Sequence, residues 1–339
     1  MAPALGPPQA PPRAADYVPP RWARNPHLQS LLSSSGLRRR RGLQRMQALG
    51  AVTREHLFDG GDGVRLQGFH TTLPGLDPRG LAILLHGWEG SAESSYMRTT
   101  TASLLERGFE VVRLNFRDHG DTHHLNEDLF HSLRIGEVVN AAVDVARRFP
   151  HRALVAGGYS LGGNFALRLA LRAPAAGLEL ARVAAVCPVL DPTAALACME
   201  TGLPIYHWYF QRKWRGSLER KQALFPQRYA FDDKVLSLGV RELTRWTVEH
   251  LTDIGSLENY LDGYHIGGQR LRALAVPADI LMAEDDPVIP VEGFHDWQLP
   301  AHARLEIARW GGHCGFIENA RCDGFGERWM SARLAAAVD

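Results

Sequence analysis

The sequence of 339 residues predicts an α/β fold: a mostly parallel central sheet with helices on both faces and a helical insertion late in the chain. Short apolar runs alternate with longer segments that have helical periodicity. A glycine-flanked turn, residues 158–162, stands between one such run and one such segment. Polar loops follow the other apolar runs. Since ligands of parallel sheets bind where strands end, we expect the functional residues at that edge of the sheet.

The composition is that of a globular chain, with 45% hydrophobic residues, 22% charged residues and a formal net charge of +1. So small a net charge gives no field that would attract nucleic acid. No stretch approaches the roughly 20 apolar residues of a membrane-spanning helix, which leaves only contact with a lipid surface open. Four cysteines without C-x-x-C spacing indicate reduced thiols and a cytoplasmic location. We expect the basic run Arg38 to Arg41 to be a solvated face.

The first strands are predicted after an N-terminal tail. Residues 1–20 are rich in proline and alanine, which predicts a flexible tail, and residues 21–339 then form one domain. Residues 53–59 and 64–70 look like two strands and are joined by a turn with three glycines, at 60–63. This pattern predicts an antiparallel hairpin.

The rest of the chain alternates between the two kinds of element. Continuous apolar runs predict strands at 81–85, 110–116, 152–157, 183–189, 278–283 and 304–308. Apolar residues at helical spacing predict helices at 94–107, at 132–149, after residue 160 and near 325–337. Residues 191–275 break this rhythm with a longer helical pattern rich in aromatics. Within this segment, residues 191–265 are predicted to form a cap-like insertion. These aromatics either line a binding pocket or form the core of the insertion.

The turn at 158–162 reads Gly-Tyr-Ser-Leu-Gly and places Ser160 between a strand and a helix. A G-x-S-x-G string that lies between a strand and a helix is typical of a turn that carries a nucleophilic serine. The turn is so sharp that neighbouring backbones approach closely, and glycines at both flanks remove the side chains that would clash. The helix then begins beside the serine and directs free N–H groups toward whatever the serine attacks.

A serine hydroxyl needs a base, and the base needs an acid that orients it. His313 follows the strand predicted at 304–308 and lies among glycines, so we assign it as the base. Asp286 follows the strand at 278–283 and is our choice for the acid, because the acid of such a turn usually stands four residues before the proline, here Pro290. Asp285 remains its rival, since a shift of one residue exchanges the carboxylate that faces the histidine.

The predicted site also needs donors for the charge that develops on the carbonyl oxygen, an oxyanion hole. One donor is expected to be the N–H of Leu161, directly after the nucleophile. The other is expected from the loop after the strand at 81–85, where His86-Gly87-Trp88 supplies the N–H of Trp88. The alternative interpretation of His86-Gly87 is an ordinary turn.

These motifs together resemble the α/β-hydrolase superfamily and, within it, the YheT-like subfamily. The resemblance extends from Trp22 to the end of the chain and rests on these strings: Arg24-Asn25-Pro26-His27-Leu28-Gln29, His86-Gly87-Trp88-Glu89-Gly90-Ser91, Leu114-Asn115-Phe116-Arg117, Gly158-Tyr159-Ser160-Leu161-Gly162-Gly163-Asn164, Asp285-Asp286-Pro287 and Gly311-Gly312-His313. It implies an α/β-hydrolase fold over 21–339 with a cap-like insertion at 191–265, and a triad of Ser160, Asp286 and His313. One departure is Arg117-Asp118-His119-Gly120, where a smaller residue is expected after the arginine.

By resemblance, the chain is expected to be a serine esterase or lipase-like hydrolase of short- to medium-chain acyl esters or acylglycerols. An acyltransferase that passes the acyl group to an alcohol, and a ligand sensor that keeps the site without using it, are the alternatives. No metal and no organic cofactor are expected. The loop at 118–131 holds four histidines, but it lacks the His-x-His-x-Asp-His spacing of metallo-hydrolases.

Overall fold

The computed structural model describes residues 13–338 and places eight strands in a single sheet. The strand order is β1-β2-β4-β3-β5-β6-β7-β8. β1 pairs with β2 and β2 with β4 in antiparallel fashion, and every pair from β4 to β8 is parallel. The strands are β1 (Val52–Asp59), β2 (Arg65–Thr72), β3 (Gly80–Leu85), β4 (Phe109–Leu114), β5 (Leu154–Tyr159), β6 (Leu180–Val186), β7 (Ala278–Ala283) and β8 (Ala303–Ala308). The predicted mostly parallel α/β sheet and its N-terminal hairpin are confirmed.

Helices occupy most of the remaining chain. The α-helices are α1 (Pro26–Ser33), α2 (Gly36–Ala48), α3 (Ser95–Leu105), α4 (Ile135–Arg148), α5 (Leu161–Arg172), α6 (Pro192–Thr201), α7 (Pro204–Leu224), α8 (Asp233–Leu236), α9 (Val240–Leu251), α10 (Leu257–Gly263), α11 (Glu292–His295) and α12 (Phe325–Ala335). Short 3₁₀ turns lie at Ala14–Asp16, Arg21–Ala23 and Pro174–Ala176. Within residues 13–338, no helix is both long and apolar enough to cross a lipid bilayer.

The core lies where the central strands are covered from both sides. Every residue of β3, β5 and β7 is buried, as expected of parallel strands between two layers of helices. β1 at the edge of the sheet buries Phe58 and leaves most of its other side chains exposed. α5 is buried along nearly its whole length, so the residues that follow β5 are held firmly in place.

The segment between β6 and β7 contains α6 to α10, and these helices pack partly on one another. One of their clusters joins Leu218, Tyr229, Phe231, Leu236 and Leu243 with Leu129, from the loop after β4. The aromatic residues of this segment therefore fall into two groups, one buried and one exposed. Tyr229 and Phe231 are core residues, whereas Trp208 and Tyr209 on α7 are exposed.

A buried ion pair joins α7 to the loop after β4. The Lys221 ammonium donates to Asp118 Oδ1 at 2.7 Å, and both side chains are almost completely buried. It also donates to the carbonyl oxygens of His123 and Asn126. The loop at 118–131, with its four histidines, thus serves as the surface on which α7 rests.

Residues 1–12 of the predicted tail lie outside the described residues, whereas residues 13–20 pack on the domain. Tyr17 is 4% exposed, and its ring contacts Phe316 and Phe325 with centroid distances of 5.6 and 5.0 Å.

The basic run Arg38 to Arg41 was expected to be a solvated face, but the structure buries one of its residues. Arg38 is 1% exposed and pairs with Glu327 of α12, so only part of the run is a solvated face.

Candidate active site

Ser160 stands at the turn from β5 to α5 in a strained backbone conformation, with φ 54° and ψ −122°. Non-glycine residues seldom adopt positive φ, and they do so mostly where the surroundings enforce it. The close approach of the backbone explains the flanking glycines. A Cβ at Gly158 would lie 2.1 Å from the carbonyl oxygen of Gly162, and one at Gly162 would lie 2.3 Å from that of Leu85. Only glycine fits at these two positions.

The structure brings together the three residues predicted as a triad. His313 Nε2 lies 2.9 Å from Ser160 Oγ, and His313 Nδ1 lies 2.9 Å from Asp286 Oδ2. The carboxylate is itself fixed, because its Oδ1 accepts the N–H groups of Val288 and Ile289 at 2.8 and 2.9 Å. The loop after β7 therefore presents Asp286 in one orientation.

Asp285, the rival for the acid, points elsewhere. Its Oδ1 accepts the N–H of Gly312 at 2.8 Å, so it supports the loop that carries the histidine without contacting the imidazole. Burial raises the pKa of Asp285 to about 6. Of the two carboxylates, only Asp286 has the geometry of an orienting acid.

The electrostatic environment of His313 favours the protonated imidazole. Burial by itself lowers the pKa of this group, but the charge of Asp286 and its hydrogen bond to Nδ1 outweigh burial and raise the pKa to about 9. An imidazolium that forms after proton transfer from Ser160 is stabilised by the same carboxylate. The arrangement therefore suits a base that must hold a proton during the reaction.

The predicted oxyanion loop lies against Ser160. A Cβ at Gly87 would lie 3.3 Å from Ser160 Cβ, and Trp88, Ser160 and Leu161 border the same cavity. Tyr96 accepts the N–H of Gly87 at 3.1 Å and so braces the loop. Leu161 is the first residue of α5, where helical N–H groups have no partner within the helix. Both predicted N–H donors are thus positioned at the same edge as Ser160.

His86 holds this loop to the neighbouring strand. Its Nδ1 donates to the carbonyl oxygen of Gly87 at 2.7 Å, and its Nε2 accepts the N–H of Phe116 at 3.2 Å. Complete burial lowers the pKa of His86 well below its usual value, so the ring is neutral. His86 therefore acts as a structural clamp.

The N-terminal helix α1 braces the histidine loop, a role that local sequence patterns did not reveal. Ser30 Oγ accepts the N–H of His313 at 2.8 Å, and Gln29 Oε1 accepts the N–H of Ile317 at 2.7 Å. Gln29 also donates to Tyr17 Oη, which in turn donates to the Ile317 carbonyl at 3.0 Å. The only sequence signal for this contact was the Asn25 to Gln29 string, which the resemblance marked without giving its role.

Comparison with known proteins decides the family. The family model described as the alpha/beta hydrolase fold matches residues 82–320, which include the loops of Trp88, Ser160, Asp286 and His313.

The chain belongs to the α/β-hydrolase family.

The resemblance to YheT is confirmed by two curated relatives of this α/β hydrolase. "Putative esterase YheT" of Escherichia coli (strain K12) is 28% identical over 266 residues, covering 74% of each chain. "Putative esterase slr0264" of Synechocystis sp. (strain ATCC 27184 / PCC 6803 / Kazusa) is 26% identical over 299 residues, covering 78% of each chain.

Solved structures share the α/β-hydrolase fold at low sequence identity. The 2,6-dihydroxy-pseudo-oxynicotine hydrolase superposes with a TM-score of 0.57 at 18% identity, covering 87% of this chain and 72% of that one. The Pyrococcus furiosus esterase Pf2001 gives a TM-score of 0.55 at 17% identity, covering 84% of this chain and 94% of that one. These matches establish the fold and nothing about the substrate.

Two cavities of this α/β hydrolase meet at Ser160. A narrow one of about 110 Å³ lies beneath the helices between β6 and β7 and is lined mostly by apolar side chains, such as Leu196, Val240 and Leu261. A wider one of about 700 Å³ is more polar and reaches His313. The residues that border both are Trp88, Glu89, Asp118, His119, Ser160, Phe210 and Ser217.

Glu89 adds a titratable group to the wall between the two cavities. It directly follows Trp88 and has a positive φ of 55°. Burial raises the pKa of its carboxyl to about 7, although the charge of Lys213 opposes the shift. The wall of the site therefore contains a carboxyl group that exchanges its proton near neutral pH.

Within residues 13–338, one group has the geometry to hold a metal ion: Cys187, His313 and Cys314, with ligand atoms within 4.8 Å of one another. Both nitrogens of His313 already contact Asp286 and Ser160, so a metal ion there would compete with these contacts. The histidines of the loop at 118–131 form no such group in this part of the chain.

Proposed function

We propose that the protein is a serine hydrolase that cleaves carboxylic esters through an acyl intermediate on Ser160. The observation that carries the proposal is the continuous chain of contacts from Asp286 through His313 to the Ser160 hydroxyl, with 2.9 Å at each step. Such a chain can take the hydroxyl proton as the oxygen attacks an acyl carbonyl and return it to the leaving alcohol. The names of the two curated relatives, "Putative esterase YheT" and "Putative esterase slr0264", support the same reaction class.

In the proposed reaction, the N–H groups of Trp88 and Leu161 donate to the oxyanion of the tetrahedral intermediate. Each such donor contributes about 3–4 kcal/mol to lowering the barrier.

The narrow apolar cavity suits a short- to medium-chain acyl group, and the wider polar cavity suits the alcohol portion. The reaction needs neither a metal ion nor an organic cofactor. The four free thiols suit a reducing compartment such as the cytoplasm.

The test combines active-site labelling with turnover. We expect a fluorophosphonate to label the wild-type protein at Ser160, and p-nitrophenyl esters from acetate to laurate to reveal a chain-length optimum. Ser160→Ala should abolish labelling and lower kcat/KM by at least about 10³-fold, because triad residues act as a unit.

The matched control is Ser237→Ala at the exposed end of α8, which should label and turn over like wild type. Near-normal activity of Ser160→Ala would refute the assigned nucleophile. If neither labelling nor turnover occurs in wild type, the alternative of a non-catalytic ligand sensor becomes the better interpretation.

Acyl transfer is the second candidate, supported by the width of the polar cavity. At about 700 Å³ it offers room for an acceptor alcohol beside Ser160 as well as for water. Adding glycerol to the turnover assay separates the two reactions. Under acyl transfer, the new ester should accumulate faster than the free acid.

A further inference from the structure

His119 lies in the wall shared by the two cavities that meet at Ser160. Its side chain is buried, with the residue 4% exposed, and its ring is held on two sides. It packs edge-on against Phe130 with centroids 4.7 Å apart, and it lies 5.0 Å from the ring of His86.

The hydrogen bonds of His119 fix which ring nitrogen carries the proton. Nδ1 lies 2.7 Å from the carbonyl oxygen of Arg117, and a carbonyl oxygen can only accept. Nδ1 therefore carries the hydrogen, and Nε2 presents a lone pair. Burial lowers the pKa of this imidazole to about 4, so the ring stays neutral and Nε2 stays an acceptor at neutral pH.

The Nε2 acceptor has no hydrogen-bond partner among the residues that the structure describes. A buried polar atom without a partner is unfavourable, so such atoms call for an explanation. The neighbouring His86 provides the contrast, since both of its ring nitrogens are hydrogen-bonded. His119 borders both cavities, although Nε2 itself is closed to solvent. A substrate donor that displaces the side chains covering this atom would satisfy Nε2.

We propose that His119 determines substrate specificity by accepting, at Nε2, a hydrogen bond from a hydroxyl group of the substrate close to the ester. The inference rests on the proposed function and adds to it a substrate class, hydroxylated esters. The hydroxyl group has two sources, the acyl chain or the alcohol portion. Both fit the position of His119, which borders the narrow cavity as well as the wide one.

The experiment compares three esters that differ in one hydroxyl group: ethyl butyrate, ethyl 3-hydroxybutyrate and 2-hydroxyethyl butyrate. We expect wild type to prefer one hydroxylated ester over ethyl butyrate by about tenfold in kcat/KM. The preferred ester identifies whether the hydroxyl group belongs to the acyl chain or to the alcohol. His119→Phe, which removes the acceptor but keeps a ring, should bring this ratio close to one.

His119→Asn separates recognition from a structural role. Its amide can still donate to the Arg117 carbonyl, but it has no acceptor at the position of Nε2. We expect it to lose the preference as His119→Phe does. His56→Phe is the matched control, because His56 Nε2 is also buried without a partner in the described chain, yet His56 lies on β1 and borders neither cavity. Its ratio should equal that of wild type.

Three results would overturn the inference: no preference in wild type, a preference that survives in His119→Phe, or one that survives in His119→Asn. A different result is expected if the proposed serine esterase function itself is wrong. Wild type would then turn over none of the three esters and would not react with a fluorophosphonate.

Discussion

The proton affinity of His313 sets the pH range in which Ser160 can be activated. Only the neutral imidazole accepts the serine proton, and the charge of Asp286 outweighs burial to hold the pKa of His313 at about 9. We therefore expect kcat/KM to rise with pH. The midpoint of this ascending limb of the pH profile should lie above the ordinary imidazole pKa of about 6.5. A pH profile of p-nitrophenyl ester turnover measures this midpoint.

Replacing Asp286 tests the cause of that shift. Asp286→Asn removes the negative charge, so the pKa of His313 should fall and the ascending limb should move to lower pH. The rate should also drop by about 10³–10⁴-fold, because the imidazole loses its orientation. Asp285→Asn is the matched control: it should cost far less and leave the limb in place. If Asp285→Asn lost more activity than Asp286→Asn, then Asp285 and not Asp286 would be the acid that orients His313.

Single residues also show which parts of the site the sequence could predict. Ser160, Asp286 and His313 follow strands, and loops after parallel strands converge at one edge, so local patterns were enough to select them. Gln29 and Ile317 are 288 positions apart, and no local pattern links them. Arg38 was misjudged for the same reason, because its partner Glu327 belongs to the last helix.

At the level of elements, the buried pair of Lys221 and Asp118 fastens α7 to the loop after β4. Lys221→Met leaves the Asp118 carboxylate buried without its counter-charge. The free energy of unfolding should then fall by about 3–5 kcal/mol, since a lone buried charge is far more costly than a missing pair. Urea denaturation followed by tryptophan fluorescence measures the change.

The double variant Asp118→Asn/Lys221→Met should recover much of that loss because it removes both charges. Asparagine also tolerates the positive φ of 60° at position 118. Arg215→Met is the matched control, since Arg215 and Glu219 form an exposed pair on the same helix. It should change the free energy by no more than about 0.5 kcal/mol. Equal effects of Lys221→Met and Arg215→Met would contradict the fastening role.

The boundaries of two strands differ from those predicted from the sequence. β5 was predicted to end at residue 157 but continues to Tyr159, because glycine inside a buried strand was taken as its end. β6 was predicted at 183–189 but lies at Leu180–Val186. Arg182 within it pairs with Asp279 of the neighbouring β7 at 2.6 Å, so a charged residue is stable in the strand. Such pairing across the sheet cannot be inferred from one strand alone.

Across the whole molecule, the N-terminal segment is part of the folded domain from Ala14 onward. A chain shortened to begin at residue 21 loses the buried Tyr17 ring and its link to Gln29. Removal of a buried aromatic side chain costs about 3–5 kcal/mol, which for a chain of 339 residues corresponds to a fall of roughly 4–7 °C in Tm. Calorimetry of the shortened chain checks this expectation.

A chain that begins at residue 13 is the control, since it keeps every contact described for Tyr17. Its Tm should be higher than that of the chain that begins at residue 21, and its fluorophosphonate labelling should be faster. The chain that begins at residue 21 should label more slowly even well below its Tm, because the histidine loop has lost a brace. Equal Tm and equal labelling for both shortened chains would show that Tyr17 contributes nothing.

The brace between α1 and the histidine loop has a consequence for biosynthesis. Ribosomes make Tyr17, Gln29 and Ser30 before Ser160, and His313 and Ile317 after it. The two parts of this contact can meet only after residue 317 has left the ribosome. A growing polypeptide therefore carries Ser160 before His313 has been made. We expect the proposed esterase activity to be absent from any nascent chain that has not yet reached His313.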